Sequence, residues 1–145
     1  MSPKEAAPRP TAGHPPLEGL HEAALYTSDL ERAERFWRGL GLPFIARNEG
    51  RHVFFRAGDD LLLVFDPSAT ENSAAGFPPH GARGQGHVAL SVADHAMLER
   101  WREHLAAAGV PIEAGVEWPS GGRSIYFRDP DGNSIELITR GSWGF

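Results

Sequence analysis

Two histidines and a glutamate, His21, His87 and Glu136, stand at corresponding places in a chain whose two halves follow one pattern. Two imidazoles and a carboxylate suit a hard or borderline divalent cation, and a three-ligand set leaves coordination positions open for water or a substrate. The three residues lie far apart in sequence, so they converge only if the halves fold alike and face a common cavity. The chain contains no cysteine, which excludes disulfides and thiolate sites and leaves His, Asp and Glu as the only strong ligands. A cation so held acts as a Lewis acid toward negative charge on a substrate oxygen, and iron in the same set can instead activate dioxygen.

The elements that must position these residues read as a repeat. Gly19 to Thr27 alternates as a strand, with His21, Ala23, Leu25 and Thr27 on one face. Ser28 offers an N-cap and Glu31 completes a capping box for a helix carrying Leu30, Ala33, Trp37 and Leu40, with Gly41 as its stop. Strand-like runs follow at Phe44 to Arg47, His52 to Arg56 and Leu61 to Phe65, the last two separated by Gly58-Asp59-Asp60. In the second half Gly86 to Val92 is again a strand, with His87 near its start and Ala89 and Ser91 on the same face. Asp94 caps a helix bearing Leu98, Trp101, Leu105 and Ala108, and Gly109 ends it. Ile112 to Glu117, Ser124 to Arg128 and Ser134 to Thr139 complete the set. The closing hairpins are alike, VFFRAGDDLLLVF at 53–65 and IYFRDPDGNSIELI at 125–138.

The expected architecture is α+β, two tandem βαβββ modules in a single domain over 18–140. Module 1 spans about 19–66 and module 2 about 85–140. Residues 1–17 read as a flexible Pro-rich tail, and 141–145 as a short C-terminal tail. Residues 67–84 read as a linker, either a surface connection or a lid beside the site.

Composition narrows the partners. The 145 residues are 41% hydrophobic and 23% charged, ordinary for a globular domain. The formal charge of −5 comes from interspersed acids and bases, which gives no footprint for nucleic acid or an anionic membrane surface. No run approaches the roughly 18 apolar residues needed to cross a bilayer. A cytoplasmic location is the expectation, and the tail lacks the features of a secretory signal.

With a His on the first strand of each module and the terminal hairpin YFRDPDGNSIEL, the pattern resembles the vicinal oxygen chelate (VOC) superfamily. That group includes glyoxalase I, extradiol dioxygenases, methylmalonyl-CoA epimerase, fosfomycin-resistance thiol transferases and bleomycin-binding proteins. The resemblance covers residues 19 to about 140. It implies a curved mixed-sheet cup with ligands inward and helices outside. It also implies a divalent metal (Mn, Fe, Ni or Zn) on His21, His87 and Glu136, and a small-molecule substrate. Such proteins are usually homodimers, and in many a first-module His of one subunit joins the second-module His and Glu of its partner. Glu136 falls where the family places its carboxylate, in the otherwise apolar run Ile135-Glu136-Leu137-Ile138, where an inward charge is costly without a cation or a hydrogen-bond partner.

Around this set, Tyr126 is a candidate catalytic residue, aiming its hydroxyl at a ligand or simply packing. Phe54, Trp118, Ser120, Ser124 and Tyr126 are the candidate pocket residues. His52 is a weaker one, while His14, His80, His95 and His104 fall in the tail, the linker and the second helix. Departures from subfamily patterns limit the chemistry. The fourth ligand and base of glyoxalase I falls on Leu63 or Val64, neither of which binds metal. The Thr and Lys of fosfomycin thiol transferases fall on Ala23 and near Val116, although Ser120, Ser124 and Tyr126 agree with that subfamily. The extra acid/base groups of extradiol dioxygenases have no counterpart, and bleomycin binders generally lack the metal triad. The expectation is a metal-dependent enzyme with lyase, thiol transferase or dioxygenase chemistry open. The alternative is a non-catalytic small-molecule or antibiotic binding and resistance protein using the same cup.

Overall fold

Parallel pairing of the first and last strands of each half organises the chain. In a computed structural model, which describes residues 13–72 and 76–144, β1 (Glu22–Tyr26) leads through α1 (Leu30–Gly39) to β2 (Phe44–Asn48), β3 (His52–Ala57) and β4 (Asp60–Phe65). A single turn, α2 (Pro67–Thr70), precedes the second half: β5 (His87–Val92), α3 (His95–Ala107), β6 (Ala114–Glu117), β7 (Arg123–Arg128) and β8 (Ser134–Thr139). The two four-stranded mixed sheets are ordered β1-β4-β3-β2 and β5-β8-β7-β6. In each, short turns make the last three strands antiparallel. The first strand lies parallel on the last, β1 on β4 and β5 on β8. The α+β tandem-module fold is as expected, and the sheets do not close into a barrel.

Side-chain alternation then divides each sheet into two faces. Leu25, Val53, Phe55, Leu62 and Val64 of the first sheet and Val92, Ile125, Phe127, Ile135 and Leu137 of the second enter one hydrophobic core. Ala33, Trp37 and Leu40 of the first module and Leu98 and Leu105 of the second fill the same core, which puts both helices between the sheets and not, as the resemblance implied, outside them. The Phe36 and Phe127 rings, 6.3 Å apart, make the contact across modules explicit. The opposite face of each sheet, with Phe54 and Leu63 on the first and Tyr126 and Glu136 on the second, therefore looks away from the shared core.

One cap differs from expectation, and the difference matters for the site. Asp29, not Ser28, caps α1, its Oδ1 accepting the Arg32 N–H at 3.0 Å. Extended backbone continues through Thr27, whose N–H reaches the Phe65 carbonyl at 2.9 Å, so the helix starts one residue later and the Ser28–Glu31 capping box does not form. Asp94 caps α3 as anticipated, accepting from the Met97 N–H at 2.8 Å.

Residues 67–84 are more structured than a plain linker where they are described. Asp66 caps α2 through the Ser68 N–H at 2.9 Å, and the His80 N–H bonds the Thr70 carbonyl at 3.0 Å. Of the N-terminal tail, residues 1–12 lie outside the described residues.

The closing turn of module 2 is also the clip between modules. Gly132, at φ +81°, completes the Asp129-Pro130-Asp131-Gly132 turn in the conformation glycine tolerates. Asp129 holds it from inside, accepting from the Asn133 N–H at 2.8 Å and the Asp131 N–H at 3.0 Å. Asp131 projects to module 1, where it accepts from Thr27 Oγ1 at 2.7 Å and Arg32 at 2.8 Å. Asp131→Ala strips these two donors, and the Ser28 N–H, of the acceptor they share. Given the partial exposure of Arg32, it is expected to cost about 1–2 kcal/mol, measured as a lowered urea midpoint.

Candidate metal centre

Glu136 lies in the middle of β8, opposite Tyr126 of β7 and beside Ala89 of β5. At 6% exposure it is one of few buried carboxylates, and its two oxygens are treated differently. Oε2 accepts from the Ser124 hydroxyl at 2.6 Å, and Ser124 Oγ in turn accepts from the Trp118 indole N–H at 2.8 Å. Oε1 is left facing Nε2 of His87 at 3.3 Å. His87 Nδ1 lies 2.9 Å from the Ser134 carbonyl, which only accepts, so Nδ1 carries the hydrogen. In the neutral ring, Nε2 then presents a lone pair to a carboxylate lone pair. Only a proton or a cation between them relieves that opposition, and a backbone carbonyl orienting a ligating imidazole is the usual outer support of a metal site. By donor chemistry the pair fits a divalent cation.

Tyr126 flanks this pair, its ring 6.4 Å from that of His87 and nearly parallel to it. Burial, then the charge of Glu136 and a hydrogen bond to it, hold the phenol above its ordinary value, outweighing a smaller opposite effect of Ser124. Tyr126 thus stays protonated at neutral pH and donates hydrogen bonds; it is not a ready base.

The structure brings His87 and Glu136 together and does not bring His21 to them. Among the described residues no three of His, Asp and Glu are grouped so as to hold a metal within one chain. His21 is exposed and precedes β1. The strand registers give the reason. Ala89 and Tyr126 both pair with Glu136, whereas Ala24 and Phe54 both pair with Leu63. Two residues before Ala89 is His87, and two before Ala24 is Glu22. The backbone agrees, since the Ser134 N–H bonds the Gly86 carbonyl at 2.9 Å and the Leu61 N–H bonds the His21 carbonyl at 3.1 Å. His21 is the counterpart of Gly86, and Glu22 that of His87. The same register places Leu63, not Val64, opposite the place of Glu136, and no metal ligand stands there.

The remaining predicted residues divide. Ser124 and Trp118 act through Glu136, an orienting role that their sequence positions did not disclose. The Ser120 hydroxyl bonds the Ser142 carbonyl at 2.8 Å. Residues 141–144 fold back here, with Trp143 packed on Trp118 at 5.2 Å between ring centroids. Gly122 leaves no room for a side chain, because a Cβ would come within 2.0 Å of Ser142 Oγ.

On the first sheet Phe54 sits in a cluster that the sequence showed only in part. Its ring stacks on His52 at 3.9 Å and meets Phe65 edge-on at 5.6 Å, and Tyr26 Oη bonds His80 Nδ1 at 2.7 Å beside them. Arg51 donates to His52 Nδ1 at 2.9 Å, which fixes the neutral ring. Burial first, then the Arg51 charge, lower the His52 pKa below 6.5. The unfolded chain takes up this proton near pH 6.5 while the folded one resists it, so the stability His52 contributes is present above pH 6.5 and lost as pH falls through its folded pKa. His52→Phe is expected to flatten the fall in urea midpoint between neutral pH and about pH 5.

Comparison with known proteins agrees with the fold. The family model described as Glyoxalase/Bleomycin resistance protein/Dioxygenase superfamily matches residues 19–137. Glutathione transferase FosA of Serratia marcescens is 32% identical over 123 residues, covering 83% of this chain and 80% of the relative. Among solved structures, lactoylglutathione lyase from Agrobacterium tumefaciens is similar at a TM-score of 0.85 and 39% identity, covering 90% of this chain and all of that one. The fosfomycin resistance protein FosX from Mesorhizobium loti is similar at 0.57 and 30% identity, covering 85% and 92%. With two βαβββ modules and a His–Glu pair on the outer face of the second, the chain belongs to the glyoxalase/bleomycin resistance protein/dioxygenase superfamily, the vicinal oxygen chelate group.

Proposed function

We propose that this protein is a divalent-metal-dependent enzyme acting on a small molecule that presents oxygen atoms to the cation, as a homodimer whose sites are shared between subunits. The observation that carries this is the facing of His87 Nε2 and Glu136 Oε1 at 3.3 Å with both side chains tied from behind. His87 and Glu136 would hold the metal, with a further ligand from a first-module strand. Bound there, the cation supplies Lewis acidity toward negative charge on a substrate oxygen.

The chain's own groups favour transfer or addition over abstraction of a carbon-bound proton. Leu63 occupies the place where glyoxalase I carries its base, and it is apolar and buried. Tyr126 is held protonated, so its part is to donate a hydrogen bond to a substrate or leaving oxygen. Phe54, with Phe65 and Tyr26, offers an aromatic wall that orients the organic part of the substrate and keeps water away. The similarity to a glutathione transferase and a lactoylglutathione lyase supports a thiol such as glutathione as co-substrate.

The experiment is metal analysis of protein purified without chelators, followed by a screen with Mn²⁺, Fe²⁺, Ni²⁺ and Zn²⁺, glutathione, and small epoxides or α-ketoaldehydes. About one metal per chain, lost in His87→Ala, is expected, together with metal-dependent turnover. Native protein without metal affinity that binds aromatic ligands tightly would instead establish the binding and resistance reading.

A further inference from the structure

Building on the metal-site reading above, we infer that Glu22, not His21, is the first-module metal ligand, and that it acts on the His87–Glu136 pair of the partner subunit. Three independent features of the chain lead there. The first is register. Glu22 pairs with Leu61 as His87 pairs with Ser134, and both are exposed on the sheet face turned away from the shared core. His21 falls one residue earlier, and a one-residue step along a strand moves a side chain to the opposite face. Its neighbours two and four residues on, Ala23 and Leu25, pack with the core.

The second is the pair of free edges. β1 ends the first sheet and β5 ends the second, so each has one side without a strand partner among the described residues. These are the two strands that carry Glu22 and His87. An unpaired edge is an attachment point for another chain, and a second copy that brings β1 beside β5 places matched positions of the two modules on one continuous surface. Within a single chain the two faces look apart, and no three-residue ligand group forms among the described residues. The site is incomplete until a partner supplies its missing member.

The third is chemistry. Among the described residues the Glu22 carboxylate has no ion-pair or hydrogen-bond partner, in contrast to Glu113, Glu117, Glu71 and Glu34, each of which engages an arginine. Two carboxylates and one imidazole neutralise a divalent cation and form a harder set than two imidazoles and one carboxylate. That set favours Mn²⁺ or Fe²⁺ relative to Zn²⁺ or Ni²⁺ and reduces attraction for an anionic ligand such as a phosphonate. Ala24, two residues on from Glu22, supplies no hydroxyl to hold such an anion either.

The test is Mn²⁺ titration of the full chain, read by calorimetry and by loss of the free-ion paramagnetic resonance signal. Glu22→Gln is expected to weaken Mn²⁺ binding by about a hundredfold, and His21→Ala by less than about twofold, with circular dichroism unchanged in both. Glu22→His is expected to retain a site but to shift preference from Mn²⁺ toward Zn²⁺. Mixing Glu22→Gln chains with Glu136→Gln chains is expected to restore one tight Mn²⁺ per mixed dimer. Wild-type affinity in Glu22→Gln combined with its loss in His87→Ala would overturn the assignment of Glu22 while leaving the His87–Glu136 centre standing. Loss in His21→Ala would return the role to that residue. Tight binding by a chain shown to be monomeric in the ultracentrifuge, or none in the mixed dimer, would overturn the sharing between subunits. A wild-type chain that binds no cation would remove the metal-site reading itself, and this inference with it.

Discussion

Glu136→Gln is expected to lower divalent-metal affinity by a hundredfold or more, while leaving the fold intact. The amide keeps an oxygen for the Ser124 hydroxyl, so the inward anchor at 2.6 Å survives. What is lost is the anionic oxygen facing His87 at 3.3 Å. Substituting a group that merely orients a ligand costs about 10–100-fold in metal affinity, and removing the ligand's charge costs at least as much. Two measurements separate this role from a structural one. Metal at about 100 times its Kd should raise wild-type stability by about 2.7 kcal/mol, an increment that the variant should lack. Without metal, the variant should be no less stable than the wild type, because its amide can donate to His87 Nε2 where the carboxylate oxygen opposes a lone pair. A variant that unfolds more easily without metal, yet binds metal normally, would make Glu136 a packing residue.

Phe127→Ala is expected to cost about 3–5 kcal/mol, the largest stability loss of any single substitution discussed for this chain. The ring is 1% exposed and lies in the core common to both modules, 6.3 Å from Phe36 of α1. Its removal opens a cavity where the halves meet, so both should weaken together. Since whole domains are stable by only about 5–15 kcal/mol, a large part of the margin goes with one side chain. Urea unfolding should show a lower midpoint with an unchanged slope, as expected for one cooperative unit. Two separate transitions would mean that the modules keep cores of their own.

The fold was legible because its signals are local and redundant. Alternation in GLHEAALYT and GHVALSV, the Asp94 cap, Gly41 and Gly109 after the helices, and the like hairpins at 53–65 and 125–138 all named the same elements. The His87–Glu136 pair was legible for the same reason: a Glu within an apolar strand and a His at the start of its neighbour. The first-module counterpart of His87 in strand register was obscured by a single residue. Ser28 and Asp29 are both good caps, and choosing the first aligned His21 with His87. Contacts distant in sequence decided otherwise, since Asp131 takes the Ser28 N–H and Thr27 stays paired to Phe65. No local rule announces those. The orienting chain from Trp118 through Ser124 likewise depends on how a loop folds over the sheet, which periodicity does not encode.

That chain of hydrogen bonds has a practical corollary. The Trp118 indole N–H ends on an oxygen that itself grips the carboxylate of the site, and indole emission is sensitive to the polarity and charge around its N–H. Charge neutralisation at Glu136 should therefore register as a change in intrinsic fluorescence. Trp118→Phe would separate that signal from the contributions of Trp37, Trp101 and Trp143. On the proposed reading, binding of a cation beside Glu136 would be followed in real time by this emission, without a dye.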